Sequence, residues 1–121
     1  MKDFKRKSEE LNALQQEFAD DDYNQNQDDL KALLQLPSFR RVLINIIKRA
    51  RVFGSISYES ADTNIVMKAI GFRELGVDIY MSANKADGEM VLKAISERNE
   101  LERDRKVRYD VLLNKMKGNG K

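Results

Sequence analysis

The side chains most able to do chemistry lie in a basic stretch at residues 37–54, PSFRRVLINIIKRARVFG. Its apolar residues recur three or four positions apart, which predicts one helix with a continuous apolar stripe. No acidic residue occurs there, and the basic residues are Arg40, Arg41, Lys48, Arg49 and Arg51. Such groups neutralise nucleic-acid phosphates, contact protein carboxylates, or pair with the acidic groups of residues 1–36. The helix is therefore both a core element and a candidate contact surface.

The rest of the chain carries no catalytic pattern. Histidine and cysteine are absent, which removes the commonest general base and the usual zinc ligands. The acidic run at residues 20–22 lacks the alternating ligands, central glycine and closing glutamate of a calcium loop. Gly71 and Gly76 lie in helical sequence and do not form a phosphate-binding loop. We therefore predict no enzyme activity, catalytic residue, metal, cofactor or small-molecule substrate.

Composition favours an all-α protein of one domain. The 121 residues include one proline and six glycines, too few turn residues for an all-β fold. No apolar run reaches the roughly 18 residues of a membrane span, and MKDFKRKSEE lacks the apolar core of a secretory signal. We expect an intracellular protein without a membrane span.

Charge is unevenly distributed along the chain. The net charge is −4 over residues 1–36, +4 over 37–60, −1 over 61–88 and +3 over 89–121. This alternation predicts complementary surfaces, either between segments of one chain or between copies in an oligomer.

The N-terminal region is predicted as a helix over residues 3–19 followed by a linker. The helix has a sparse stripe of roughly heptad spacing that needs a partner. Its members are Phe4, Leu11, Leu14 and Phe18. Residues 20–29, DDDYNQNQDD, are almost free of apolar side chains and predict a polar linker.

The predicted architecture is a bundle of about four helices, with helices 38–52 and 62–84 antiparallel. Gly54 is expected to end the first of these in a left-handed conformation, followed by a loop over 54–60. Ser60 or Asp62 caps the next helix, and Gly71 and Gly76 indicate a close approach of a neighbour. The expected core pairs two stripes: Val42, Leu43, Ile46 and Ile47 against Val66, Ala69, Ile70 and Phe72.

A turn at residues 87–88 precedes a fourth, extended and highly charged helix. One interpretation is a solvated projection; the other is an assembly helix whose Val107, Val111 and Leu112 meet a partner. The predicted division is residues 1–27 (N-terminal helix and acidic linker), 28–96 (helical core) and 97–121 (charged helix and tail).

Three blocks of the middle region resemble a family of small proteins from short-tailed bacteriophages, encoded among virion and DNA-packaging genes. The blocks are PSFRRVL at residues 37–43, VFGSIS at 52–57 and AIGFRELG at 69–76. The family patterns are close to P-x-G-R-R-V-L, G-V-F-R-S-S-F and E-G-R-R-x-x-G. Phe39 replaces a small residue, Arg51 a glycine and Gly54 an arginine, and the third block keeps one arginine, Arg73. The resemblance covers about residues 36–95.

The resemblance implies a protein of the phage particle or its assembly, in the virion or in the host cytoplasm. We expect it to act by helix-mediated contacts with phage structural proteins or with copies of itself. The expected contact residues are the five basic residues above, Arg73 and the N-terminal stripe. The alternative is a nucleic-acid-binding accessory protein for DNA packaging or gene regulation that uses helix 38–52.

Overall fold

The computed structural model describes residues 2–54 and 62–119, and this part of the chain is all-helical, as predicted. Helix α1 spans Lys2–Leu34, α2 spans Pro37–Arg49 and α3 spans Thr63–Asn119. The described residues thus form three helices where the sequence predicted about four. The count differs because the two predicted C-terminal helices are continuous except for one residue.

That residue is Asp87, whose backbone is extended at φ −160° and ψ 88°. Its carboxylate accepts a hydrogen bond from the backbone N–H of Met90 at 3.3 Å, as a helix cap does. The break coincides with the turn predicted at residues 87–88. It divides α3 into an arm at 63–86 and an arm at 88–119.

Both arms of α3 pack on α2. Ala50, at the end of α2, lies against Gly76, and Lys48 pairs with Glu102. In one straight helix, residues 76 and 102 would be about 39 Å apart at 1.5 Å per residue. Helix α3 therefore turns back at Asp87 and does not run straight.

The prediction of a linker at residues 20–29 is wrong, because α1 is helical without interruption. Side-chain hydrogen bonds join Gln16 to Asp20 at 2.9 Å and Gln25 to Asp29 at 3.0 Å, each across one helical turn. Tertiary contacts add to this: the ammonium of Lys85 lies 5.1 Å from the ring centre of Tyr23. The polar composition of residues 20–29 predicted a linker, but a contact with α3 helps to stabilise a helix there. The N-terminal helix is therefore not loosely attached through a linker.

The core lies where α2 and the end of α1 meet both arms of α3. Its buried apolar residues are Leu34, Leu43, Ile44, Ile47, Ala83, Val91 and Ala94. Leu43 and Ile47 are buried as predicted, but their cluster contains none of the predicted partner stripe. The prediction was wrong for Val42 and Ile46, which are 52% and 39% exposed. Phe72 is also exposed, and the rest of its predicted stripe is half-buried. The buried face is shifted around α2 toward Arg40 and Ile44, because α2 contacts two arms and not a single partner helix.

The ends of α2 follow from local backbone chemistry. Leu36 is extended at φ −89° and ψ 123°, as expected before the proline that opens the helix. The helix does not end through Gly54: Arg51 takes the left-handed conformation at φ 56°. The N–H of Arg51 donates to Lys48 O at 3.1 Å and that of Val52 to Ile47 O at 3.2 Å, which is a Schellman motif.

Two other boundary predictions have different outcomes. Asp62 accepts a hydrogen bond from the N–H of Asn64 at 2.9 Å and so caps α3, as predicted. Ser60 and most of the expected loop lie outside the described residues. The predicted boundaries after residues 27 and 96 both fall inside helices, and that division stays a prediction.

Candidate protein-interaction surfaces

The outer part of α1 presents its apolar stripe to solvent. The side chains of Phe4, Leu11, Leu14 and Phe18 are 80%, 61%, 43% and 56% exposed. The contacts described between α1 and the other helices begin at Tyr23 and continue through Gln27, whose amide donates to Ser82 O at 3.4 Å. A helix that repeats large apolar residues on one exposed face has the pattern of an unpaired coiled-coil strand. We call this set the N-terminal stripe.

The far end of α3 has a similar exposed face. Tyr109, Leu112, Leu113 and Met116 follow the i, i+3, i+4, i+7 spacing of one helix face, and each is exposed. We call this set the C-terminal stripe. Val107 and Val111 are also exposed, but they lie on the opposite side of the helix. The sequence predicted an assembly role for Val107, Val111 and Leu112 in this segment, and that role stays a prediction.

Arg40 is part of the fold and not an available contact residue. Its side chain is only 5% exposed, and its Nε donates to Glu97 Oε1 at 2.7 Å. Its Nη1 donates to the backbone carbonyl of Leu34 at 2.9 Å, at the C-terminal end of α1. A cation at that position satisfies an orphan carbonyl and interacts favourably with the helix dipole. Arg40 therefore joins α1, α2 and the second arm of α3.

Lys48 is also engaged within the protein. Glu102 accepts hydrogen bonds from Lys48 and from Arg98, the latter at 3.0 Å. The bond from Lys48, and then that from Arg98, lowers the pKa of the Glu102 carboxyl below its ordinary value. The predicted pairing of the basic helix with acidic groups thus exists, but its partners come from α3 and not from residues 1–36.

Among the remaining predicted basic residues, Arg41 and Arg49 line different clefts. Arg41 lines a cleft of about 330 Å³ between α2 and the second arm of α3. Arg49 lines a different, mostly apolar cleft of about 310 Å³ against the first arm. Arg51 is exposed at the end of α2, and Arg73 is half-buried on α3. The structure brings none of these four together with the N-terminal stripe in any described contact.

Sequence reasoning missed the groups that α3 contributes to these surfaces. Glu97, Arg98 and Arg105 line the same cleft as Arg40 and Arg41. These three residues lie more than 50 positions from Arg40 and Arg41 along the chain. The sequence of their own segment predicts only a highly charged helix. Only the back-turn at Asp87 brings them to α2, so no local signal identified them.

Gly76 lies in close contact with the residues that follow α2. A Cβ at this position would lie 2.4 Å from Ala50 Cβ and 3.0 Å from a methyl carbon of Val52. The close approach predicted at Gly76 is therefore confirmed. At Gly71 it is wrong, because a Cβ there would have no neighbouring atom within 4 Å.

Over the described residues, no three metal-binding side chains cluster in a way that would hold an ion. The same residues include no helix that is both long and apolar enough to cross a membrane. Comparison with protein-family models, curated proteins and solved structures gives no match.

Proposed function

We propose that this protein is a non-enzymatic assembly protein that acts through helix-mediated protein contacts. The observation that carries the proposal is the N-terminal stripe. Phe4, Leu11 and Phe18 repeat every seven residues on a helix segment that leaves the core, and they are exposed. A partner helix packed on this face would remove the apolar surface of several large side chains from water and so stabilise the complex.

The phage context of the proposal depends on the resemblance of residues 36–95. One structural observation supports it: Arg51 has a left-handed backbone at the position where the family pattern has glycine. Glycine is the residue best suited to that conformation, so the pattern and the backbone are compatible. The proposed partners are phage structural proteins or further copies of the chain, in the virion or in the host cytoplasm during assembly.

We also propose that α2 and the first arm of α3 run antiparallel in the core of a four-helix arrangement. Gln35, just before α2, donates to Asp87 at 3.0 Å, and Ala50, just after α2, lies against Gly76. Residue numbers thus rise along α2 as they fall along the arm. This arrangement holds the core while the ends of α1 and α3 extend from it.

The proposal is tested by removing the stripe. Leu11→Ser with Phe18→Ser should abolish self-association and binding to purified virion proteins, measured by sedimentation velocity. Leu92→Ser is the matched control, because Leu92 is 66% exposed and belongs to neither stripe. Equal behaviour of both variants would contradict the proposal. Genes for portal, capsid and terminase beside the coding sequence would independently support the phage context.

The second candidate function is nucleic-acid binding through α2, favoured by the exposure of Arg41 and Arg49. Two of the five basic residues are already engaged, Arg40 by Glu97 and Lys48 by Glu102, which weakens the field available to phosphates. A DNA mobility shift at moderate salt that disappears in an Arg41→Ala/Arg49→Ala variant would make this the leading function. Both positions are exposed, so the variant tests binding without disturbing the core.

A further inference from the structure

The two exposed stripes lie on segments of opposite charge. Residues 9–29 of α1 contain eight acidic and no basic side chains. Residues 103–117 of α3 contain six basic and two acidic side chains. We call these the acidic segment and the basic segment.

The charges beside the two stripes follow the same spacing. On α1, Glu10 and Glu17 lie four residues before and three residues after Leu14. On α3, Arg108 and Lys115 lie four residues before and three after Leu112. Residues three or four apart share a helix face, so each stripe has two charges of one sign beside its central leucine. Glutamates seven apart on one helix thus match cations seven apart on the other, as in charge pairs that flank a coiled-coil seam.

We propose that the acidic segment of one copy packs on the basic segment of a second copy, stripe against stripe. The inference rests on the proposed function and names its contact. Pairing two acidic segments would set like charges beside the seam, and pairing two basic segments would do the same. Pairing an acidic segment with a basic segment buries both apolar stripes and also places opposite charges beside the seam.

The second segment comes from another copy because no described part of the chain covers either stripe. All four residues of the N-terminal stripe and all four of the C-terminal stripe are exposed. Tyr23 and Gln27 of α1 contact Lys85 and Ser82, and Gln35, just after α1, contacts Asp87, so these contacts lie near the bend. The basic segment begins 16 residues beyond that bend, on the arm that pairs with α2.

Charge reversal with a matched control tests the pairing in the full-length protein. Glu10→Lys/Glu17→Lys should weaken self-association roughly tenfold or more in sedimentation equilibrium, because it places cations against cations. Glu9→Lys/Asp20→Lys makes the same change in net charge five residues before and six after Leu14, away from the stripe, and should leave association nearly unchanged. Arg108→Glu/Lys115→Glu should weaken association, and its combination with Glu10→Lys/Glu17→Lys should restore it.

Restoration in the combined variant, with no effect of the control, supports the pairing. Equal weakening by Glu9→Lys/Asp20→Lys would overturn it, because net charge alone would then explain the result. A wild-type protein that stays monomeric at all concentrations would also overturn the pairing. In that case, binding of virion proteins through the N-terminal stripe would still support the proposed function. If Leu11→Ser/Phe18→Ser abolishes association and the charge reversals do not, the pairing is wrong and the proposed function is supported. Circular dichroism of each variant establishes that the helices are intact.

Discussion

The guanidinium of Arg40 and the carboxylate of Glu97 lie 2.7 Å apart, one nearly buried and the other 37% exposed. They are 57 positions apart in sequence, and the same guanidinium also binds the last carbonyl of α1. One side chain thus ties three helical segments together. The unequal exposure matters, because water can solvate Glu97 if its partner is removed, whereas Arg40 has little access to water.

Loss of this pair should therefore destabilise the protein. Arg40→Ala should lower the free energy of unfolding by about 2 kcal/mol, because it removes the half-buried ion pair with Glu97 and leaves the Leu34 carbonyl without its hydrogen bond. Arg41→Ala, at the exposed neighbouring position, should change it by less than about 0.5 kcal/mol. Urea denaturation of both variants measures the difference. Equal midpoints would show that Arg40 does not link the helices.

The two glycines of the first arm of α3 should respond in opposite directions to alanine. Gly76→Ala should destabilise by roughly 1–3 kcal/mol, because its methyl group would overlap Ala50 and force the helices apart. Gly71→Ala meets open space and should stabilise by up to about 1 kcal/mol through its better helix propensity. Thermal melting of the two variants measures this difference. A higher melting temperature for both variants would refute the close packing at Gly76.

Arg51→Gly should stabilise the protein, although it removes a side chain. The left-handed backbone at φ 56° costs a residue with a Cβ roughly 1 kcal/mol, and glycine avoids most of that cost. We expect a gain of about 0.5 kcal/mol, since glycine also adds entropy to the unfolded chain. Arg49→Gly, within the last turn of α2, is the control and should destabilise by about 1 kcal/mol. A loss of stability in Arg51→Gly would contradict the assigned cap.

Glu102 should make stability depend on pH in the acid range. Its folded-state pKa is lowered by the hydrogen bonds from Lys48 and Arg98, so the unfolded state binds its proton more tightly. The stabilisation is present above the ordinary glutamate pKa and is lost as pH falls through the lowered value. Glu102→Gln should therefore be less stable than wild type near pH 7, and the difference should shrink toward pH 3.

Denaturant midpoints between pH 3 and pH 7 measure this effect. Glu100→Gln provides the comparison, because Glu100 lies on the same arm and makes no ion pair within the described residues. A pH-independent difference between wild type and Glu102→Gln would show that the carboxylate is not held by its two cations.

The sequence by itself determined the helical class and several local boundaries. Pro37 started α2, Asp62 capped α3, and the residues at 87–88 marked the break, because caps and breakers act within one turn of helix. The heptad repeat of Phe4, Leu11 and Phe18 likewise identified an apolar face, which the fold leaves exposed.

Only the tertiary structure decided which faces are buried and which charges are paired. The back-turn at Asp87 places two arms against α2, so the buried face includes Arg40 and Ile44, and the predicted Val42 and Ile46 lie outside it. The polar composition of residues 20–29 predicted a solvated linker, whereas contacts with Ser82 and Lys85 stabilise a helix there. Pairings such as Arg40 with Glu97 join residues more than 50 positions apart, and periodicity within a single segment carries no information about them.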